Sequence, residues 1–483
     1  MSEIPERAIL NVMVPARLTP ASWSSALRSQ WLFVLVLLTW FTSIGGIWWF
    51  DGIWIWTAGL LYVIYDTCLI AYVTTQVRRH ISQPTAASLE VVTTNPTLAV
   101  IIAARNEVSV LSATLNALLD QEDQPESILL IDDGSTDTTL AMLQQQYGIV
   151  FEADSQLGSS ADYANLQVLT KPNSGKADSL NQGWHITHTD VIVTLDADTT
   201  LQPNAVAAMR KAFAREPELA AVCGRLTPRC VSTISGKIFQ WFQVFEYLRA
   251  FLARIAWMRV DALLLVSGAF AGYRRSVLEV IGGFDRRCLV EDYELIHRLH
   301  RYAMDHAKQW RVRVISEAAA TTDAPATLNT FLRQRRRWFA GFLQTQYKNR
   351  DMTGNVVYGN VGRFMLPIKM VDTLQPIYGL TAFVLLVSFI VRGSSLLWPV
   401  LAVIGVKLLV DFGFQLWAVH LYFRWIKQRT HWHQWLLAIL ASLIEPFCFQ
   451  ILRHTGALLG WFAILTRQLD WIPQRTFMPS EEH

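Results

Sequence analysis

Two acidic clusters each follow a short apolar run, a position from which carboxylates could hold a metal ion or a ligand. Residues 131–137 read IDDGSTD, and residues 195–198 read LDAD. In LDAD, the i, i+2 spacing predicts that Asp196 and Asp198 point to one side of an extended backbone. Two hard oxygen donors there suit Mg²⁺ or Mn²⁺ on a diphosphate, although an isolated DxD also occurs in ordinary loops. Asp196 and Asp198 are therefore candidate metal ligands.

The IDDGSTD segment has two interpretations. An acid such as Asp133, beside the turn formed by Gly134 and Ser135, could accept hydrogen bonds from a uracil or a ribose. The same residue types also build Asx-turns and helix N-caps. The motif alone leaves both interpretations open.

Residues 171–183 read KPNSGKADSLNQG, which contains a glycine–lysine pair. The segment is not a Walker motif, because the upstream glycine is missing and Ala177 replaces the serine or threonine that would hold magnesium. Lys176 is a candidate ligand of a nucleotide phosphate. The alternative is a solvated loop lysine.

Residues 290–292 read VED, and the spacing of Leu295 and Leu299 predicts an amphipathic helix over residues 293–302. Asp292 would then lie at the helix start, where an acid is a favoured cap. It could equally be a general base that removes the proton from an acceptor hydroxyl. The sequence does not separate the two roles.

Residues 334–338 read QRRRW, an unusual density of guanidinium groups beside an indole. A basic helix near a membrane usually faces lipid headgroups. Arginines can also bind a diphosphate through paired hydrogen bonds, while Trp338 could stack on a sugar ring. Both interpretations stay open.

A sheet is needed to bring these segments together. Residues 98–103, 128–131 and 191–195 are short apolar runs, and helical periodicity follows them. Alternating strands and helices predict a mostly parallel α/β sheet, in which ligands bind at the carboxyl ends of the strands. We expect this cytoplasmic domain to cover residues 95–350.

The rest of the chain predicts membrane segments. Hydrophobic residues make up 52% of the 483 residues, with 19 Trp, which is too apolar for a soluble domain of this size. Two runs near the ~20 residues that a bilayer requires, 31–50 and 53–77, predict a transmembrane hairpin that is not a cleaved signal peptide. Basic residues on both sides place the hairpin ends, residues 1–30 and the next domain in the cytoplasm.

A second membrane region is expected over residues 364–465, before a tail of residues 466–483. It contains spans near 374–391 and 396–423 and a basic loop at 424–429. Residues 435–465, interrupted by Glu445–Pro446, form either one kinked span or a re-entrant pair. Residues 239–258 and 331–347 suit helices lying in the membrane interface.

Charge and cysteine content exclude other classes. Lys plus Arg number 42 and Asp plus Glu 39, so no nucleic-acid partner is expected. The cysteines are odd in number, scattered and without CxxC spacing, and they predict reduced structural thiols: Cys68, Cys223, Cys230, Cys288 and Cys448.

Taken in order, AVIIAARNE, LLIDDGSTD, KPNSGKADSLNQG, VTLDAD, LVSGAFAGYRRSVLEVIGGF, VED and RQRRRW resemble the processive family-2 glycosyltransferases. This group contains the cellulose, chitin, hyaluronan and poly-N-acetylglucosamine synthases. The resemblance covers about residues 98–346 and implies a Rossmann-like GT-A fold, UDP-sugar donors, Mg²⁺ or Mn²⁺, and inversion to a β-linkage. It also implies a polysaccharide acceptor, export through the enzyme's own helices, and an integral protein of the bacterial inner membrane.

The resemblance also assigns roles to single residues. Asp292 corresponds to the catalytic base, and Asp196 and Asp198 correspond to the DxD pair. The nucleotide-sugar would be bound by Asp133, Lys176, Asp196, Gln334 and Arg337. The acceptor would be bound by Trp338, Ser267 and Gly268.

Some features depart from the group. The base motif is VED where many members have TED, and no PilZ domain or FxVTxK-type gating segment is found, which leaves residues 467–475 as a candidate gate. One alternative is non-processive transfer of a single sugar to a lipid, by enzymes that generally lack the QxxRW helix. A non-catalytic scaffold is the other, although every expected acid is present. Membrane lipids and a small membrane or periplasmic export protein are the further expected partners.

Overall fold

A mixed sheet forms the centre of the domain that the sequence predicts over residues 95–350. The computed structural model describes residues 23–46, 49, 52–82, 95–152, 155–425 and 431–467. Within them, the strand order is β3-β4-β5-β2-β1-β6-β9-β8-β10-β7. The strands are β1 (Leu98–Ala104), β2 (Ser127–Asp132), β3 (Ile149–Phe151), β4 (Leu157–Ser160), β5 (Leu166–Thr170), β6 (Val191–Asp196), β7 (Thr199–Leu201), β8 (Leu219–Arg229), β9 (Phe270–Arg274) and β10 (Arg311–Asp323).

The four strands β5, β2, β1 and β6 run parallel, as the apolar runs predict. Their register aligns Ala103 with Asp196 and Ala104 with Asp132, so two of the acidic clusters lie at one edge. The other strands add antiparallel pairs, among them β6 with β9 and β10 with β7. The predicted α/β GT-A architecture is confirmed in this part of the chain.

Helices cover both faces of the sheet, which explains why its strands are apolar throughout. Alternate residues of β1 enter different cores: Ile102 packs with Leu111 and Leu115, whereas Ile101 packs with Leu180 and Trp184. Each fully buried side chain of this size contributes roughly 1.5–3 kcal/mol. The helices of the domain are α3 (Val108–Leu119), α4 (Thr139–Tyr147), α5 (Lys176–Ile186), α6 (Ala205–Arg215), α8 (Arg275–Ile281) and α9 (Glu291–Asp305).

Apolar helices flank the domain. They are α1 (Trp23–Gly45), α2 (Thr57–Ser82), α11 (Leu366–Val391), α12 (Leu397–Trp425), α13 (Trp432–Ile444) and α14 (Phe449–Leu465). Among the described residues, three helical stretches are long and apolar enough to cross a membrane: Gly52–Ser82, Val361–Val391 and Leu397–Arg424. By length and composition, these stretches match the second run of the predicted hairpin, 53–77, and the spans predicted near 374–391 and 396–423.

Two of the apolar segments differ in detail from the sequence prediction. The first predicted span, 31–50, corresponds to α1, which ends at Gly45, and only its part Val34–Gly45 counts as a shorter apolar helix. Residues 435–465 form α13 and α14, whose axes bend by 47° at a break around Glu445–Phe447. Most of the N-terminal segment 1–30, the basic loop 424–429, the candidate gate 467–475 and the tail 466–483 lie outside the described residues.

Two long helices, α7 (Ile234–Met258) and α10 (Leu328–Lys348), connect the domain to the membrane helices. The Trp257 ring of α7 packs 4.8 Å from the Tyr72 ring of α2, measured between centroids. Helix α10 lies against α14, where a Cβ atom at Gly456 would be 2.5 Å from Arg335 Cβ and one at Gly460 would be 2.7 Å from Phe339 Cβ. The sequence GALLG thus provides a GxxxG contact that lets two backbones approach closely. All five cysteines are free thiols, as predicted.

This packing makes a prediction about stability. Gly456→Ala and Gly460→Ala should each destabilise the protein by about 1–3 kcal/mol, because each added methyl group overlaps α10. The measurement is the midpoint of thermal unfolding in detergent. Gly405→Ala in α12 is the matched control, since nothing lies within 4 Å of its added Cβ. Equal shifts for all three variants would contradict the close contact.

Candidate active site

The carboxylates of LDAD lie at the carboxyl edge of the parallel strands. Asp196 is the last residue of β6, and Asp198 follows in the turn to β7. Asp198 Oδ1 accepts hydrogen bonds from Thr322 Oγ1 at 3.3 Å and from Thr199 Oγ1 at 3.4 Å. The pairing of β7 with β10 therefore orients the second aspartate.

Lys176 connects the LDAD and VED segments. It is the first residue of α5, and its Nζ lies 2.5 Å from Asp196 Oδ1 and 3.5 Å from Glu291 Oε1. Burial alone would lower the pKa of Lys176, but Asp196 and Glu291 raise that pKa above its usual range. The lysine thus carries a positive charge in the middle of the acidic groups.

Asp292 is not the N-cap of its helix, which is Val290, but it accepts two backbone hydrogen bonds and suits a general base. Its Oδ2 accepts a hydrogen bond from the Gly268 N–H at 2.6 Å, and its Oδ1 accepts one from the Tyr293 N–H at 2.7 Å. Burial and the neighbouring Glu291 raise the pKa of Asp292 to about 6, while Lys176 and the two N–H groups oppose the rise. A base with a pKa near the working pH is the most efficient.

The helix that carries Asp292 starts earlier than predicted. The sequence pattern places its first residue at 293, whereas α9 begins at Glu291. Asp292 is therefore inside the first turn, and Glu291 faces Lys176. Sequence reasoning missed Glu291, although it belongs to the same VED motif.

The predicted acceptor segment lies against Asp292. A Cβ atom at Gly268 would be 3.0 Å from Asp292 Oδ2, so any side chain there would displace the carboxylate. Ser267 is half-buried, and its carbonyl accepts a hydrogen bond from Phe270 N at 3.2 Å. Ser267 and Gly268 thus lie beside the predicted base.

Asp133 is buried, and the following loop engages both of its oxygens. It accepts hydrogen bonds from Ser174 N at 2.9 Å and from Gly175 N at 2.8 Å, and it pairs with the ammonium group of Lys171. These contacts fix the loop that ends at Lys176. Sequence reasoning missed Lys171, although it opens the motif, and contact of Asp133 with a nucleotide stays a prediction.

Asn106, in the segment AARNE, orders the loop after Asp133. Its φ of 58° lies in the left-handed region, which asparagine tolerates better than most residues. Its Oδ1 accepts hydrogen bonds from Thr136 N at 2.8 Å and Asp137 N at 3.3 Å. The motif AARNE therefore has a structural role that its sequence did not reveal.

The QRRRW segment lies on α10, which also contacts the loop before Asp292. A Cβ atom at Gly341 would be 2.1 Å from Val290 Cγ2, and Gln344 Oε1 accepts a hydrogen bond from Leu289 N at 3.0 Å. Gln334 is buried, and its Oε1 has no hydrogen-bond partner in the part of the chain described. Arg337 and Trp338 are half-buried.

Tyr247 of α7 packs against the core that includes Leu195 and Ala197 of the LDAD segment. Burial raises the pKa of Tyr247 to about 12; Arg335 and Arg254 oppose the rise, and Glu246 and Asp198 add to it. Tyr247 is thus within electrostatic reach of Asp198 and of α10. The sequence of residues 239–258 predicted only a helix in the membrane interface, so sequence reasoning missed Tyr247.

A cavity of about 440 Å³ with several charged groups on its wall lies between the membrane helices and α7. Charged groups on its wall are paired: Lys407 Nζ is 2.7 Å from Asp66 Oδ2 and also pairs with Asp411. Arg249 Nη1 donates a hydrogen bond to Glu445 Oε2 at 2.8 Å. Ionisable groups at membrane depth are rare and typically mark substrate or ion paths.

Comparison with solved structures supports the fold. The mannosyltransferase PcManGT from Pyrobaculum calidifontis, in complex with GDP-Man and Mn²⁺, aligns with a TM-score of 0.52 and 18% identity. The alignment covers 81% of this chain and 99% of that one. At this identity the likeness shows a shared glycosyltransferase fold and nothing about the substrate.

Family models identify the chain further. Glycosyl transferase family 2 matches residues 99–282, and Glycosyl transferase family group 2 matches residues 191–464, more than half of the chain. The chain belongs to the family-2 glycosyltransferases, which confirms the resemblance drawn from the motifs.

Curated relatives are poly-beta-1,6-N-acetyl-D-glucosamine synthases. That of Staphylococcus epidermidis is 25% identical over 298 residues, 62% of this chain and 66% of the relative. That of Staphylococcus aureus (strain COL) is 27% identical over 242 residues, 50% of this chain and 53% of the relative. The matches thus span between half and two thirds of these relatives.

The electrostatics of Asp292 predict a pH profile. As a base, Asp292 acts only when ionised, so kcat/KM should rise with pH and level off above a midpoint of about 6. Lys176→Met removes a charge that lowers this pKa, so the midpoint should move to higher pH. Asp292→Asn should reduce transfer by about 100-fold or more above this midpoint, with a smaller ratio below it, while nucleotide binding survives. The measurement is initial rate against pH, with calorimetry for nucleotide binding.

Two outcomes would contradict this assignment. A folded Asp292→Asn variant that works at nearly the normal rate would leave Asp292 with a structural role only. An unmoved midpoint in Lys176→Met would show that the profile belongs to another group.

Proposed function

We propose that this protein is an inverting, metal-dependent, processive glycosyltransferase that transfers sugar from a UDP-sugar to a growing β-linked polysaccharide and exports it. The observation that carries the proposal is the convergence of Asp292, Lys176 and Asp196 at one sheet edge, with α10 packed against the same loop. Residues of the LDAD, KPNSGKADSLNQG and VED motifs thereby meet, and α10 contacts the VED motif through Gly341.

The roles follow from the charges. Asp292 accepts the proton of an acceptor hydroxyl as that oxygen attacks the anomeric carbon, opposite the departing UDP, which inverts the configuration. Asp196 and Asp198 are the hard oxygen donors that would hold Mg²⁺ or Mn²⁺, which supplies charge neutralisation to the diphosphate leaving group. The fold relative containing Mn²⁺ supports a divalent metal. Lys176, Gln334 and Arg337 are the candidate diphosphate contacts.

The relatives support a polymer as product. Both are named as synthases of a poly-N-acetylglucosamine, so UDP-N-acetylglucosamine is the first donor to test. Trp338, on α10, would stack on the acceptor sugar, as an indole face does on apolar sugar faces.

The cavity between the membrane helices supports export. Its volume of about 440 Å³ is in the range of ligand pockets, about 300–1,000 Å³. Paired charged groups on the wall offer hydrogen bonds to sugar hydroxyls without an uncompensated charge in the membrane. The catalytic domain would be cytoplasmic and the membrane bacterial, with lipids and a small export protein as partners.

Metal dependence gives a direct test of the chemistry. With a panel of labelled UDP-sugars, excess EDTA should abolish transfer, and Mg²⁺ or Mn²⁺ should restore it. Asp196→Asn and Asp198→Asn should each reduce transfer by about 100-fold or more, because each removes anionic ligand charge. Glu122→Gln, an exposed acid after α3, is the control and should leave transfer unchanged. Full activity in EDTA would remove the metal from the mechanism.

Export is tested with purified protein in vesicles whose catalytic domains face outward. UDP-sugar supplied outside should give long product that a matching glycosidase digests only after detergent is added, because a polysaccharide is too polar to cross lipid unaided. Single-sugar lipid products would refute processive synthesis. Polymer that is fully accessible without detergent would assign export to another protein.

A further inference from the structure

Arg335 is the second residue of QRRRW and is not one of the three positions that the family resemblance assigns. Its side chain is buried. Its guanidinium carbon lies 4.6 Å from the centroid of the Phe331 ring and 4.5 Å from that of Trp338. The arginine is thus packed against the indole that would bind the acceptor sugar.

Glu246 of α7 holds the guanidinium in this position. Arg335 Nη2 donates a hydrogen bond to Glu246 Oε2 at 2.8 Å. Arg335 Nε finds no acceptor in the part of the chain described. The contacts that hold the guanidinium are therefore the hydrogen bond to Glu246 and the packing against the Phe331 and Trp338 rings.

The pair continues into the wall of the cavity. The other oxygen of Glu246 lies 3.3 Å from Arg453 Nε, and Arg453 Nη1 lies 3.6 Å from Glu445 Oε1. Glu445 in turn accepts a hydrogen bond from Arg249. Charges of alternating sign run from the Trp338 ring to the cavity, whose wall includes Glu246, Arg249, Glu445 and Arg453.

The backbone contact with α14 leaves Arg335 little freedom. A Cβ atom at Gly456 would lie 2.5 Å from Arg335 Cβ, so only a glycine leaves room for the arginine here. The arginine stem therefore lies directly against α14, and the planar guanidinium stacks on rings at its other end. Lysine cannot replace this combination, because its ammonium is a point charge without a planar face.

We propose that Arg335 and Glu246 are positioning residues that hold the Trp338 indole so that the acceptor end is retained between successive transfers. The proposal rests on the proposed function, since retention matters only to an enzyme that extends its product. Neither residue takes part in bond making or breaking.

The test separates retention from turnover. Arg335→Met and Glu246→Gln should shorten the mean product about fivefold or more, the scale expected from losing a cation–π contact, while UDP release changes by less than about twofold. The same number of sugars is then divided among more and shorter chains. Product length is measured by gel filtration of labelled polymer, and UDP release by a coupled assay.

Two further variants exclude a merely structural role. Arg210→Met is the matched control, since Arg210 is also buried and pairs with Asp123 and Glu126. It should reduce stability without changing product length. The charge swap Arg335→Glu with Glu246→Arg keeps an ion pair but removes the stack on Trp338, and it should still give short product.

Several outcomes would overturn the proposal. They are wild-type product length in folded Arg335→Met, a fall in UDP release that matches the fall in length, and long product from the charge swap. If the wild-type protein adds only single sugars, the proposed function fails, and Arg335 is then judged by its kinetics. A higher KM for the acceptor with unchanged kcat would support positioning, whereas unchanged KM would refute it.

Discussion

Helix α10 packs at van der Waals distance on two sides, and the arrangement of the site depends on that double contact. On one side Gly341 has no side chain, which leaves room for Val290, the first residue of the VED motif that carries Asp292. On the other side Gly456 and Gly460 of α14 have no side chains, which allows the backbone of α10 to approach α14 closely. One rigid element therefore sets the distance between the predicted base and the membrane helices. Because packed interfaces shift between discrete arrangements, a displacement on one side is transmitted to the other.

Electrostatics explain how so many acids coexist at the sheet edge. Asp196, Glu291 and Asp292 surround one lysine, Lys176, which the neighbouring α5 presents at its first residue. The Lys176 ammonium pairs with both Asp196 and Glu291 and so offsets the repulsion between these two carboxylates. It also limits the rise in the pKa of Asp292. Under the proposed function, a bound diphosphate would compete with Asp196 for the charge of Lys176, so donor binding would release this carboxylate.

The sequence predicted the parallel strands and the edge where acids meet, because apolar runs and strand polarity are local properties. It could not predict that Asp133 would be engaged by Lys171, Ser174 and Gly175, since loop closure depends on tertiary contacts. The parallel pairing of β8 with β10 joins segments far apart in sequence. Tyr247 was missed because a helical sequence pattern shows which face of the helix is apolar but not which residues that face contacts.

The pairing of α10 with α14 also bears on how the protein is made. About 100 residues separate the two helices, and α14 is the last described helix to leave the ribosome. Chains emerge amino terminus first, so the catalytic sheet can form while α10 still lacks the surface that orders Arg335 and Trp338. Assembly of the α10 surface that carries Arg335 and Trp338 therefore waits for α14. Under the proposed function, a nascent chain would therefore lack an ordered acceptor site until α14 has been made.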